Sequence, residues 1–115
     1  MATNSQSKTP GGVEIEELTV GKGDAATIDS IVTVHYHGSL KSNGKVFDST
    51  KGGDPIEFPL EDLIQGWQEG IPGMKVGGKR KLTIPWALAY GAAGAPPDIP
   101  PKADLIFEIE LVDVQ

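Results

Sequence analysis

Residues 62–78, DLIQGWQEGIPGMKVGG, decide how the rest of this chain has to be arranged. Leu63, Ile64, Trp67 and Ile71 recur at helical spacing, which predicts a short helix whose one apolar face is centred on Trp67. Gly66 and Gly70 fall inside that window, and each lowers helix stability by about 1 kcal/mol relative to alanine. Pro72 ends the pattern, because its ring clashes with the preceding turn and it has no N–H to donate. A helix of roughly two turns does not stand alone in water. Something must wrap its apolar face, and the flanking sequence supplies strands.

A length of 115 residues bounds one domain with a single core. The 15 glycines and nine prolines are scattered between apolar runs rather than periodic, so they read as turn punctuation in a β-rich fold. A net charge of −6 argues against a phosphate-tracking surface, and no nucleic-acid partner is expected. The one basic cluster, Lys79-Arg80-Lys81, reads as solvated charge at the start of a strand. The absence of cysteine removes disulfides, thiol nucleophiles and thiolate metal sites together. The first ten residues, MATNSQSKTP, contain no apolar run, so neither a signal peptide nor a membrane span is expected, and a cytoplasmic protein is.

Residues 1–12 are polar and read as a flexible leader, with the domain proper over 13–115. Val13 to Glu16 alternates as a half-buried strand does, and Glu17 interrupts the alternation as a bulge would. Ile31 to His37 is a second strand, with Val32, Val34 and Tyr36 on one face and Thr33, His35 and His37 on the other. The Asn43-Gly44 pair predicts a hairpin turn returning through Val46-Phe47. Ile56 to Phe58 is a short extended piece, Arg80 to Ile84 alternates until Pro85, and Leu105 to Val112 is the clearest strand of all. Residues 91–104 hold four prolines and two glycines and predict a long loop, a feature that commonly carries function. The pattern gives an α+β fold, a twisted antiparallel sheet curled over one short α-helix. Its inward set is Val32, Val34, Tyr36, Phe47, Leu82, Ile84, Phe107 and Ile109 against Leu63, Ile64 and Trp67.

Taken alone, these residues leave several readings open. Tyr36, Phe47, Trp67 and Phe107 fit ordinary core aromatics, Asp48 before Ser49-Thr50 fits a turn residue bonding its own backbone, and Tyr90 fits the start of a loop. His35 and His37 are two potential metal ligands without a third, and Asp48 with Asp62 would be an acid/base pair without a nucleophile.

Four fragments change that balance: VHYHGSL, NGKVFDST, GWQEGIPGMKVGGKRKLTIP and AYGAAGAPPDIPPKADLIFEIEL. In this order and spacing they resemble the FKBP-type peptidyl-prolyl cis-trans isomerases over about residues 13–114. The resemblance implies a single-domain, monomeric, cofactor-free and metal-free isomerase: a five-stranded antiparallel half-barrel around one helix, with an apolar pocket that takes a proline ring. It assigns Asp48, Tyr90, Tyr36 and Phe107 to catalysis, and Phe47, Ile56, Leu63, Ile64, Trp67 and Ile99 to holding the substrate. Trp67 resembles the pocket floor, Asp48 a carboxylate at its buried edge, and Tyr90 and the Ile64 N–H donors to a substrate carbonyl. The implied partners are proline-containing polypeptides and, more weakly, rapamycin- or tacrolimus-like macrolides. Ile56 falls where the family often has an aromatic, residues 51–54 lack a common arginine, and Ala95 and Asp98 make the 91–104 loop smaller and more polar. A non-catalytic docking module for proline peptides or macrolides is the competing reading.

Overall fold

The structure is a computed structural model that describes residues 5–115. Among these residues, seven strands form one antiparallel sheet: β1 (Ser5–Lys8), β2 (Glu14–Thr19), β3 (Ile31–Leu40), β4 (Val46–Ser49), β5 (Ile56–Pro59), β6 (Lys79–Ile84) and β7 (Leu105–Val114). Their spatial order is β1-β2-β6-β7-β3-β4, and β5 shares the outer edge of β3 with β4. One α-helix, α1 (Gln65–Gly70), follows a single 3-10 turn at Leu60–Asp62 and lies on the inner face. This is the expected fold class, with seven strands in place of five.

Period-two patterning explains the long strands. Leu105, Phe107, Ile109 and Leu111 of β7 are buried, while Glu108, Glu110 and Val112 alternate outward. The Asn43-Gly44 turn joins β3 to β4 with Gly44 at φ 75°, a left-handed conformation that glycine adopts without a Cβ penalty. The bulge expected at Glu17 is a register shift between Glu17 and Thr19 in the β2–β6 ladder.

Three expectations are corrected. The leader assigned to residues 1–12 is paired from Ser5 onward: β1 forms a ladder with β2, and the Thr9 hydroxyl and Gly11 N–H both donate to Glu69 Oε1, at 2.6 and 3.1 Å. Residues 1–4 lie outside the described residues. Leu63 and Ile64 precede the helix instead of belonging to it, Ile64 being its N-cap with non-helical backbone at φ −57° and ψ 150°. Arg80 is not a solvated charge either. Its guanidinium pairs with Glu17 and donates to the carbonyls of Gly70 (2.9 Å) and Pro72 (3.2 Å), which a helix C-terminus would otherwise leave unpartnered.

The glycines that weaken the helix in isolation are what seat it. A Cβ at Gly66 would overlap the Ile84 side chain, and one at Gly70 would overlap Leu82, both buried residues of β6. Gly66→Ala gains about 1 kcal/mol of helix propensity, against an overpacking cost of about 1–3 kcal/mol. We expect a net loss of about 1 kcal/mol in urea unfolding. Gln65→Ala, on the exposed side of the same helix, should leave the midpoint within error; a stabilised Gly66→Ala would show that the helix does not press on β6.

Candidate functional site

Placing a glycine-notched helix against a twisted sheet leaves a gap at one end of the interface, and aromatic rings line it. Trp67, only 4% exposed, is its base. Its indole meets Tyr36, Phe107 and Phe58 edge-on, with centroids 5.3, 5.1 and 6.1 Å away and interplanar angles of 80°, 88° and 87°. Edge-to-face contact sets the positive rim of one ring against the negative face of the next. Phe47 continues the series against Phe107 at 5.5 Å and 88°. Gly38, on β3, makes that last contact possible, since a Cβ there would come within 2.7 Å of the Phe47 ring and 2.8 Å of Phe107.

The resulting cavity holds about 200 Å³. Drug-sized ligands occupy roughly 300–1,000 Å³, so this space suits one small ring. Beyond the rings, Leu63 and Ile64 close its helix side, and Asp48 and Tyr90 stand at its mouth. Two larger concavities, of about 540 and 440 Å³, lie elsewhere on the sheet. Charged and polar side chains dominate their lining, such as Lys8, Glu14 and Lys81 in one and His35, His37 and Glu108 in the other. Neither has an aromatic enclosure.

The polar groups at the mouth form a small, specific set. The Tyr36 hydroxyl donates to Asp48 Oδ2 at 2.6 Å, and Asp48 Oδ1 accepts the Ser49 N–H at 2.9 Å. Asp48 itself is exposed, which corrects the expectation of a carboxylate at a buried edge. Burial pushes the Tyr36 phenol well above the ordinary tyrosine range, and its bond to Asp48 and the nearby negative charge push it further. Tyr90 is raised by burial first and by the Asp48 charge second. Both hydroxyls are therefore protonated donors at neutral pH. Tyr36 spends its proton on Asp48, whereas the Tyr90 hydroxyl, on a residue 40% exposed, meets no acceptor among the described residues.

Backbone geometry adds another donor. Ile64 accepts through its carbonyl from the Trp67 and Gln68 N–H groups, while its own N–H has no partner among the described residues. The Gln68 amide pins this corner by donating to the Leu63 carbonyl at 2.7 Å and the Glu61 carbonyl at 3.1 Å. Trp67 Nε1 is buried without an acceptor among the described residues. Such an orphan costs about 1–3 kcal/mol, and the ring packing around the indole has to offset it.

Two residues named from the sequence stand outside the cavity. Ile56 begins β5 opposite Val34, 40% exposed, while Phe58, on the same strand face but two residues further along and opposite Val32, supplies the ring. Ile99 is buried in the core, its N–H and C=O exchanged with those of Ala95, so it ties the 91–104 loop to itself. His35 and His37 face the other side of β3, where their Nδ1 atoms meet Thr50 Oγ1 and Ser49 Oγ at 3.0 and 3.1 Å. Phe58 and Gly38 were missed. The signals available were an aromatic at the strand's second inward position and a glycine inside a strand run.

Comparison with known proteins fits this geometry. The family model FKBP_C, FKBP-type peptidyl-prolyl cis-trans isomerase, matches residues 22–112. The 46 kDa FK506-binding nuclear protein of Spodoptera frugiperda is 50% identical over 107 residues, which is 91% of this chain and 26% of that protein. The peptidyl-prolyl cis-trans isomerase FPR2 of Saccharomyces cerevisiae is 56% identical over 87 residues, covering 73% of this chain and 64% of that one. This chain thus spans about a quarter of the first relative and just under two thirds of the second. The crystal structure of AtFKBP13 superposes with a TM-score of 0.85 at 38% identity, covering 96% of this chain and 99% of that one. With aromatic cavity, matched sequence and superposed fold in agreement, the chain belongs to the family of FKBP-type peptidyl-prolyl cis-trans isomerases.

Proposed function

We propose that this domain accelerates cis-trans rotation of Xaa-Pro bonds in polypeptides without covalent chemistry. The observation that carries the reading is an aromatic cavity of about 200 Å³, wide enough for a pyrrolidine ring and bordered by two hydrogen-bond donors unengaged among the described residues. Rotation about the amide faces a barrier of about 18–20 kcal/mol, set by resonance that is lost at the twisted geometry. The planar amide carries more charge on its carbonyl oxygen than the twisted one, so an apolar enclosure disfavours the planar form. Fixed donors placed along the peptide can hold it in the twisted conformation.

Magnitudes divide the labour. Each factor of ten requires about 1.4 kcal/mol, and a neutral hydrogen bond contributes about 0.5–1.5 kcal/mol. The Tyr90 hydroxyl and the Ile64 N–H together therefore supply at most about two powers of ten. Trp67, Phe58, Phe107 and the Tyr36 ring must supply the remainder by enclosing the proline. In this proposal Asp48 holds the Tyr36 ring upright as a cavity wall. Ile56 serves as an outer rim contact, and Ile99 as a brace of the loop.

The partners in this reading are proline-containing polypeptides. A rapamycin- or tacrolimus-like macrolide would insert one ring-sized group and lay the rest over the exposed mouth near Tyr90. We take a monomeric, cytoplasmic protein as part of the proposal; relatives named as nuclear proteins supply the alternative location, which cell fractionation decides. Exchange NMR on an Xaa-Pro peptide separates the isomerase from a docking module. We expect line broadening of the cis and trans resonances at catalytic protein concentration, and binding without accelerated exchange would establish the docking module instead.

Activity on an uncharged peptide should be flat from about pH 6 to 9, because both phenols are raised from their ordinary value of 10.0 and stay protonated there. The fold favours the neutral phenols, so their contribution to stability is complete below pH 10.0 and declines as pH rises toward their higher folded values. A kinetic limb inside that pH range would instead show that a group other than these two phenols takes part in the chemistry.

Trp67 should report ligand by fluorescence. Trp86 should not, since it sits beneath the Lys102 ammonium, 5.9 Å from its ring, with its backbone N–H donating to Asp104 Oδ1. Single-tryptophan variants carry the test, and Trp67→Leu should weaken binding of a proline-mimicking ligand roughly tenfold, about 1.4 kcal/mol. Equal responses from both tryptophans would remove Trp67 from the floor.

A further inference from the structure

Where β4 ends, the chain substitutes a side chain for a main-chain group. Continuing the ladder beyond His37–Ser49 would pair Tyr36 with Thr50. Half of that pair is ordinary: the Thr50 N–H donates to the Tyr36 carbonyl at 2.9 Å. The other half is not. The Thr50 carbonyl turns away to accept the Gly53 N–H at 2.9 Å, closing the turn over residues 50–53. The Tyr36 N–H, which that carbonyl would have accepted, donates to Thr50 Oγ1 at 2.9 Å. Thr50 is 7% exposed, so no bulk water replaces this acceptor. His35 Nδ1, 3.0 Å from the same oxygen, holds the hydroxyl from the outer face of the sheet.

Two residues, Asp48 and Thr50, thus grip Tyr36 at both ends. Asp48 takes its phenol at 2.6 Å and Thr50 takes both polar groups of its peptide. Ser49, between them, is fixed by the His37 ring at 3.1 Å and by the Lys51 N–H at 3.1 Å. Phenol and carboxylate can meet at 2.6 Å only if β4 neither slides nor lifts relative to β3. At its open end, nothing beyond Thr50 continues that ladder.

We propose that Thr50 is a positioning residue for the cavity: its hydroxyl and N–H clamp the Tyr36 peptide and so fix the Tyr36 ring against Asp48. The inference rests on the isomerase reading for its kinetic consequence but not for its structural one. Thr50→Val keeps the shape and removes the acceptor. Thr50→Ser keeps the acceptor.

The chain has two tyrosines, so in a Tyr90→Phe background the 13Cζ resonance of labelled tyrosine belongs to Tyr36 alone and reports on its phenol bond. We expect Thr50→Val to move that resonance toward its value in the Asp48→Asn variant, and Thr50→Ser to leave it in place. Hydrogen exchange at the Tyr36 amide should speed up at least about tenfold in Thr50→Val, while that of Ile109, on the β7 side, stays slow. If the valine variant does not fold, Thr50→Cys, with a weak acceptor of similar size, should give an intermediate shift. A folded valine or cysteine variant with an unmoved Tyr36 resonance overturns the proposal, whatever its activity.

With the Tyr90 hydroxyl present, kcat/KM should fall roughly tenfold in Thr50→Val, about 1.4 kcal/mol, and no further on adding Asp48→Asn. An additive loss would show that Thr50 acts by another route. A parent protein without isomerase activity would overturn the functional reading while leaving the spectroscopic test of the clamp to be decided by itself.

Discussion

Everything in this molecule depends on how closely α1 can approach β6. Gly66 and Gly70 remove the side chains that would hold the helix off, and Ile84 and Leu82 fill the notches. That contact turns Trp67, between the two glycines, away from β6 and toward the rings of β3, β5 and β7. A helix of six residues has little stability of its own. Here tertiary devices hold it: Arg80 on its last carbonyls, Gln68 on the corner before it, and Thr9 and Gly11 on Glu69.

The cavity follows from the same geometry. Trp67 and Phe107 belong to the continuous core, yet one side of each ring faces a space that no protein atom fills. Close-packed interiors leave few voids of this size, so keeping one open at a core edge requires rigid walls. Flat aromatic rings meeting edge-to-face meet that requirement better than aliphatic chains, which would collapse into the gap. The orphaned Trp67 Nε1 is the visible cost of using the indole as a floor.

How legible this was from sequence varied with the kind of force involved. β7 was legible because burial imposes an alternation, and Leu105 to Leu111 follow it without interruption. The Trp67 face was legible for the same reason, but its exact extent was not: Leu63 and Ile64 share the spacing yet lie in the turn, since Gln68 and the 3-10 turn before them bend the chain there. β1 left no apolar trace because backbone bonds to β2 hold it, with Gln6, Ser7 and Lys8 exposed. Arg80 was misread because its partners are backbone carbonyls and a glutamate on another strand, which no local pattern encodes. For Ile56 and Phe58, parity put both on one face, and only pairing with β3 decided which reached the cavity.

The polar mouth sits where regular structure gives out. The β4 ladder ends at Ser49, the helix begins at an Ile64 whose N–H is unengaged among the described residues, and Tyr90 follows a second 3-10 turn, Trp86–Leu88. Strand ends and helix starts are where backbone donors go unpaired, so a binding site collects them there at little cost to the core. The constraint is that such ends fray, and each must be tied by a side chain. Thr50 does this at the end of β4 and Gln68 at the start of α1, both by hydrogen bonds to main-chain groups beside the cavity. The rings supply an apolar floor that packing alone can stabilise. The rim needs these two local substitutions, because packing does not direct a hydrogen bond.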